Sequence, residues 1–162
     1  MQLRHRKRLP KRLAAALLRE DARAVTALLR AGADPNAATS DGTTPLYTAS
    51  VQGRAPIVRL LLGAGAAPDT ESGHGAEGTP LTGAAAWGHT DVVRELLCHG
   101  AEPNLREDHG AGLSPLDWAL RAGHRQTADV LLAAGGTTTT AHGDAPDTPA
   151  PDEPTRAPDE PT

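Results

Sequence analysis

Histidines are the residues of this 162-residue chain with the clearest potential for chemistry. His74 and His109 stand 35 residues apart, in two glycine-rich segments. An imidazole nitrogen can bind zinc, but each ligand must lie about 2 Å from the ion. Successive packed helices lie on the order of 10 Å apart, and the two side chains would have to bridge that gap. A metal-dependent enzyme using these histidines is therefore the third of three functional hypotheses, and zinc in the purified protein would be its test.

Cys98 is the single cysteine and is followed directly by His99. A nucleophilic thiol needs a positioned base and an oxyanion site, and the sequence indicates neither. The glycine-rich segments also lack the Gly-Lys-Ser/Thr ending of a phosphate-binding loop. We therefore predict no catalytic residue, no metal and no cofactor. Cys98 itself is predicted to be a buried or half-buried small apolar residue.

A repeated pattern organises the elements that carry these residues. The segments 44–46, 79–81 and 114–116 read Thr-Pro-Leu, Thr-Pro-Leu and Ser-Pro-Leu, at a step of 35 residues. Leucine pairs and two sets of glycines keep the same step; they are Leu61-Leu62, Leu96-Leu97 and Leu131-Leu132, then Gly53, Gly88 and Gly123, then Gly65, Gly100 and Gly135. A fixed period of this length is typical of a stacked repeat array.

Each repeat is predicted to be a helix–turn–helix unit. The hydroxyl residue can cap a helix N-terminus, and the proline after it suits the first helical position. A short apolar helix then ends at the first glycine, which favours the left-handed backbone that follows a helix. A second helix carries apolar residues at helical spacing, such as Val92, Val93 and Leu96, and the last glycine ends it. One pair cannot bury its apolar face alone, but stacked pairs form a continuous core.

Composition limits the fold and the compartment. The chain has no phenylalanine, one tyrosine and two tryptophans, so its core must consist of leucine, alanine and valine. We predict a cytoplasmic location, because no apolar run is long enough to cross a membrane. The net charge of −4 conceals an asymmetry, since residues 1–12 carry six positive charges and residues 137–162 carry six acidic groups against Arg156.

The combined pattern resembles the ankyrin repeat. Its elements are Thr-Pro-Leu, then Ala-Ala, Gly-His, Val-Val-x-x-Leu-Leu-x-x-Gly-Ala and a unit ending such as Glu102-Pro103-Asn104. The resemblance implies an all-α solenoid of stacked helix–turn–helix units with short β-turn fingers between them. It also implies structural roles for His89 and His124, with hydrogen bonds across the turn that each one follows.

The predicted boundaries follow the repeat. The ankyrin-like domain covers residues 10–136, with units at about 10–36, 40–69, 75–104 and 110–136. The first unit is degenerate: Lys11-Arg12-Leu13 replaces Thr-Pro-Leu, and Glu20 replaces the turn glycine. Residues 1–9 are predicted to be a basic disordered arm and residues 137–162 an acidic, disordered Pro/Thr-rich tail. The fingers are residues 39–43, 71–78 and 107–112. Counted from the end of one unit to the next Thr/Ser-Pro, the second and third connectors, residues 70–78 and 105–113, are each two residues longer than the first, residues 37–43. Neutral drift in length and a role in binding both account for this difference.

The resemblance implies a non-catalytic, monomeric module that binds a partner protein through its concave face and finger tips. Trp87 is the first choice of anchor, because equivalent positions hold Gln52 and Ala122 and the stack requires no aromatic there. Trp118 is predicted to pack more inward. Carried over by position, the partner-binding residues are Ser40, Asp41, Thr43, Tyr47, Val51, Gln52, Glu77, Thr82, Ala86, Trp87, Leu113, Asp117 and Arg121, with Ala76, Ala111 and Ala122 beside them.

The alternative hypothesis is an adaptor for nucleic acid or an anionic surface. Four cations, Arg4, Arg6, Lys7 and Arg8, would contact phosphates, and binding would fall steeply with salt. No aromatic residue lies among them to stack on bases. Nucleic acid is therefore the less favoured partner.

Overall fold

The computed structural model describes residues 8–139 of the chain. That part contains eight α-helices, which form four consecutive pairs. They are α1 Leu9–Leu18 and α2 Ala22–Arg30, α3 Pro45–Val51 and α4 Ala55–Gly63, α5 Pro80–Ala86 and α6 Thr90–Cys98, and α7 Pro115–Arg121 and α8 Arg125–Ala133. No strand is present among these residues; a single antiparallel bridge joins Ser72 to Gly78.

The helices form two layers. The inner helices α1, α3, α5 and α7 pack in chain order in one layer, and the outer helices α2, α4, α6 and α8 pack in the same order in the other. Each inner helix also packs on the outer helix of its own pair. The predicted all-α repeat solenoid is therefore confirmed.

The predicted helix caps are present in three units. The Thr44 side chain accepts a hydrogen bond from the Tyr47 amide, and Thr79 does the same for the amide of Thr82. Ser114 forms a reciprocal capping box with Asp117. A proline follows each cap at the start of its helix. The Thr/Ser-Pro signal therefore fixed these helix starts locally, before any tertiary contact is considered.

Glu20 has the left-handed backbone that glycine adopts in the later units. Its φ is +56°, compared with +70° at Gly53 and Gly88. A side chain in this region costs about 1–2 kcal/mol, because Cβ approaches the following carbonyl oxygen. The turn of the first unit is thus conserved in shape although its sequence differs.

Leucines at equivalent positions form the core. The inner helices contribute Leu13, Leu46, Leu81 and Leu116, and the outer helices contribute Leu61, Leu96 and Leu131. Alanine and valine fill the space between them, in one contiguous cluster. This core begins at Leu9, which is buried, so the predicted arm of residues 1–9 extends too far by this residue.

At the other end, residues 137–139 are attached to the stack. The amide of Thr137 donates to Asn104 Oδ1 at 2.7 Å, and the amide of Thr139 donates to Asp117 Oδ2 at 3.0 Å. The predicted domain end at residue 136 therefore falls three residues short of these contacts. The rest of the predicted arm and the rest of the predicted tail, residues 1–7 and 140–162, lie outside the described residues.

No helix between residues 8 and 139 has the length and the apolar character that are needed to span a lipid bilayer.

Candidate partner-binding surface

Trp87 is the most prominent aromatic side chain on the inner helices. It is the C-cap residue of α5, and 66% of its surface is exposed to solvent. Isolated exposed apolar residues are common, but a largely exposed tryptophan is a frequent anchor of protein interfaces. Trp118, by contrast, is partly buried and packs against the core, as predicted, with a buried Nε1 that has no hydrogen-bond partner among the described residues.

Tyr47 and Val51 extend this surface from α3 onto α5. Both side chains lie over Gly83, where a Cβ would come within 2.9 Å of Tyr47 Cε2 and 2.8 Å of Val51 Cγ1. Only glycine gives the two side chains this room. Trp87 follows Gly83 by four residues, and its amide donates to the Gly83 carbonyl, so it stands one turn further along the same side of α5.

The electrostatic environment of Tyr47 is negative. Its pKa is raised, first because the phenol is partly buried and then because the carboxylates of Glu77 and Glu107 disfavour a second negative charge. Glu77 belongs to the second finger and Glu107 to the third. Carboxylates from two fingers therefore act on one inner-helix aromatic.

Two predicted contact residues are buried instead. Thr82 is 1% exposed, and its Oγ1 donates to the carbonyl of its own cap, Thr79, at 2.8 Å. Asp117 is 9% exposed and accepts hydrogen bonds from the amide and the hydroxyl of Ser114. These side chains complete helix caps. Because they are buried, Thr82 and Asp117 are not part of the candidate surface.

The pKa of Asp117 reflects its surroundings. Burial acts to raise it, but the hydrogen bonds donated by Ser114 and Thr139 together outweigh burial, and the pKa is lowered. The carboxylate is thus held in its charged form at the last inner helix.

The first two fingers are joined to each other. The Thr43 hydroxyl donates to Glu77 Oε1 at 3.1 Å, and the Ser72 hydroxyl donates to Glu77 Oε2 at 2.7 Å. Ser72 Oγ also accepts from the amide of Thr44 at 2.9 Å, and the Gly73 amide donates to the carbonyl of Gly42 at 3.0 Å. Ser72, which the sequence did not single out, therefore connects the Thr44 backbone to Glu77 at this junction.

Glu71 joins the second finger to the third. One of its oxygens accepts from the His109 amide at 3.0 Å, and the other lies 2.6 Å from His109 Nδ1. The His109 ring lies against Gly75, and the His74 ring lies against Gly42, each on the preceding finger. The two histidines thus contact different fingers. No group of three metal-ligating side chains forms between residues 8 and 139.

His89 and His124 join neighbouring units as well. Their Nε2 atoms lie 3.1 Å from the Val51 carbonyl oxygen and 3.2 Å from the Ala86 carbonyl oxygen. The predicted structural role is confirmed, although the partner lies in the preceding unit rather than across the histidine's own turn. The prediction for Cys98 was wrong: its side chain is exposed, at the C-terminus of α6.

The other predicted contact residues differ in exposure. Ser40, Asp41 and Arg121 are exposed, as are Ala76, Ala111 and Ala122 beside them. Partly buried are Thr43, Tyr47, Val51, Gln52, Glu77, Ala86 and Leu113. We call one surface the inner-helix face. It is formed by the inner-helix residues Tyr47, Val51, Gln52, Ala86, Trp87 and Arg121, by the finger residues Ser40, Asp41, Thr43 and Glu77, and by Leu113, which directly follows the third finger.

Leu18 is a member of this face that sequence reasoning missed. It lies on α1, is 72% exposed, and borders a groove of about 200 Å³ with Thr48 of α3 and Asp41 of the first finger. Its position in the first unit is equivalent to those of Val51, Ala86 and Arg121. That equivalence was visible in the sequence, but contact residues were assigned only in the three units that keep the Thr/Ser-Pro-Leu pattern. Leu18 therefore belongs to the inner-helix face.

Two layers of paired helices with fingers at one end define a helical repeat solenoid. The family model described as "Ankyrin repeats (3 copies)" matches residues 13–107 and 77–141. The chain therefore belongs to the ankyrin-repeat family, whose members are generally protein–protein interaction modules and typically non-catalytic. A comparison with curated proteins gives no significant match.

Proposed function

We propose that this protein is a non-catalytic, monomeric module that binds a partner protein through the inner-helix face. The observation that carries the proposal is the 66% exposure of Trp87 on an inner helix. Tyr47 and Val51 lie beside it over Gly83, and the groove at Leu18 continues the face toward α1. Because Tyr47 and Val51 already pack on Gly83, they lose little conformational entropy on binding. The cytoplasmic location stays a prediction.

Capture of proteins from a cell lysate tests this proposal. The full chain, Trp87→Ala and Leu132→Ala are immobilised side by side. Leu132 is the matched control, because it is 54% exposed but belongs to the outer helix α8. We expect a protein that the parent and Leu132→Ala both enrich and that Trp87→Ala loses. Truncation of an interface tryptophan typically costs about 2 kcal/mol or more, which corresponds to roughly thirtyfold in affinity.

The thermal stability of the variants separates binding from folding. Because Trp87 is largely exposed, its removal should change the free energy of unfolding by no more than about 0.5 kcal/mol. Equal melting temperatures with unequal capture support the inner-helix face. An enriched set that is the same for the parent and both variants would contradict the proposal.

A further inference from the structure

Charge is divided between the two sides of the stack. The fingers contain five carboxylates, Asp41, Glu71, Glu77, Glu107 and Asp108, and no lysine or arginine. The outer helices contain five arginines against three carboxylates; the arginines are Arg23, Arg30, Arg59, Arg94 and Arg125. The fingers are therefore acidic and the outer helices basic; Arg121, on α7, is the cation of the inner-helix face.

Among residues 8–139, the two carboxylates that act on Tyr47 have no cationic partner. Glu77 accepts its hydrogen bonds from the neutral hydroxyls of Thr43 and Ser72. The Glu107 side chain lies against Gly78, and its carboxylate makes no hydrogen bond or ion pair with any residue from 8 to 139. The adjacent Arg106 forms no ion pair with it; its guanidinium donates instead to the carbonyl oxygens of Gly112 and Ala111. On the outer layer, by contrast, Glu95 and Asp91 are paired with Arg59 and Arg94.

The apolar part of the same face is exposed as well. Trp87 and Leu18 are the two most exposed large apolar side chains there. Tyr47 lies over Gly83, one turn before Trp87 on α5, and the carboxylates of Glu77 and Glu107 act on its phenol. An arginine side chain matches both features, because its planar guanidinium binds carboxylates through paired hydrogen bonds and also stacks on aromatic rings. An aliphatic side chain matches the groove at Leu18.

We propose that the inner-helix face binds an arginine-bearing segment of a separate partner protein, with arginines at Glu77 and Glu107 and an apolar side chain at Trp87 or Leu18. This inference rests on the proposed function and specifies the chemistry of its partner.

The probe is a synthetic twelve-residue peptide with four arginines, two leucines and six serines; a second peptide carries glutamates in place of the arginines. Binding to the full chain is measured by isothermal titration calorimetry at two salt concentrations. We expect the arginine peptide to bind, to bind more weakly at the higher salt concentration, and to exceed the glutamate peptide in affinity. Equal binding of the two peptides, or none by either, would overturn the proposal.

Two variants, each of which replaces two carboxylates by neutral amides, locate the site. Glu77→Gln/Glu107→Gln removes two finger carboxylates, and Asp91→Asn/Asp129→Asn removes two carboxylates from the outer helices at the same net charge. The first variant should weaken peptide binding by about tenfold or more, since it removes the two carboxylates that would attract and orient the arginines of the peptide. The second should change it by less than about twofold. Equal losses would mean a response to overall charge, which contradicts a site on the fingers.

The single variant Glu107→Gln distinguishes the loss of a direct contact with the peptide from a change in the structure of the fingers. Its carboxylate holds no hydrogen bond within the described residues, so the substitution leaves the junction at Ser72 intact. Weaker peptide binding with an unchanged melting temperature supports direct contact. Unchanged peptide binding by both this variant and the double variant would remove the fingers from the site.

The chain's own basic residues are the other possible occupant. In Arg4→Gln/Arg6→Gln/Lys7→Gln, peptide affinity should stay within about twofold of the parent if the occupant is a separate protein. A gain of tenfold or more would assign the face to the N-terminal residues and overturn the choice of partner. Failure of the peptide experiments beside a lysate protein lost only by Trp87→Ala would leave the proposed function standing with a partner of different chemistry.

Discussion

At the scale of single residues, Asp117 offers a measurable link between charge and stability. The pKa of Asp117 is lowered in the folded protein. The ionised carboxylate therefore stabilises the folded state at pH values above the pKa that this aspartate has in the unfolded chain. This stabilisation is lost as the pH falls through the folded-state pKa. An unfolded aspartate titrates near 3.9, so the loss begins at about that pH and continues below it.

Asp117→Asn should therefore be less stable than the parent at neutral pH, by about 1 kcal/mol, because the capping box with Ser114 is weakened. The difference should shrink as the pH is lowered below about 4. Denaturant unfolding at several pH values measures both effects, with Asp129→Asn, an exposed aspartate on α8, as the control. A difference that stays constant down to pH 2 would contradict the assigned charge state.

Residue roles were predictable from the sequence where they depend on near neighbours in the chain. Thr44, Thr79 and Ser114 cap helices because the cap needs only its own first turn. The roles of Thr82 and Asp117 were missed, since short polar side chains at the third helical position turn back to the cap. The long side chain of Tyr47, at the same position, extends past it onto Gly83.

At the scale of one element, the turn between α1 and α2 carries strain that the later units avoid. Glu20 holds a φ of +56° there and forms an ion pair with Arg54, with both side chains well exposed. An exposed ion pair contributes at most about 1 kcal/mol, whereas relief of the left-handed backbone gives about 1–2 kcal/mol.

Glu20→Gly should thus raise the stability by roughly 0.5–1 kcal/mol, since the relief exceeds the lost ion pair. Glu20→Ala is the control, because it loses the same ion pair but keeps a Cβ in the left-handed region. Thermal unfolding of the parent and the two variants gives the order. If Glu20→Ala proves as stable as Glu20→Gly, backbone strain is not the cause.

The fingers show where prediction of elements from one sequence ends. Their positions followed from the repeat. Their connection did not, because the residues that join them lie far apart in the chain: Ser72 bonds the Thr44 amide 28 positions away, and Glu71 bonds His109 across 38 positions. Such pairs have no local signal.

At the scale of the whole molecule, the repeat predicts that stability is shared along the stack. The inner leucines belong to one contiguous core that includes residues of all four units, and His89 and His124 add hydrogen bonds between successive units. In a stack of this kind, a terminal unit is coupled to distant units only through the interfaces between them. Strong interfaces make the array unfold as one, and weak ones let the end unfold first.

Leu13→Ala tests this coupling, because Leu13 is fully buried in the first unit while both tryptophans report on the third and fourth. The substitution should cost about 2–5 kcal/mol. We expect the tryptophan fluorescence transition to shift to lower denaturant together with the far-ultraviolet circular dichroism transition, as in two-state unfolding. Leu18→Ala, on the same helix but 72% exposed, should leave both transitions nearly unchanged. If circular dichroism shifts and tryptophan fluorescence does not, the first unit unfolds separately, and the continuous core does not couple the ends of the stack.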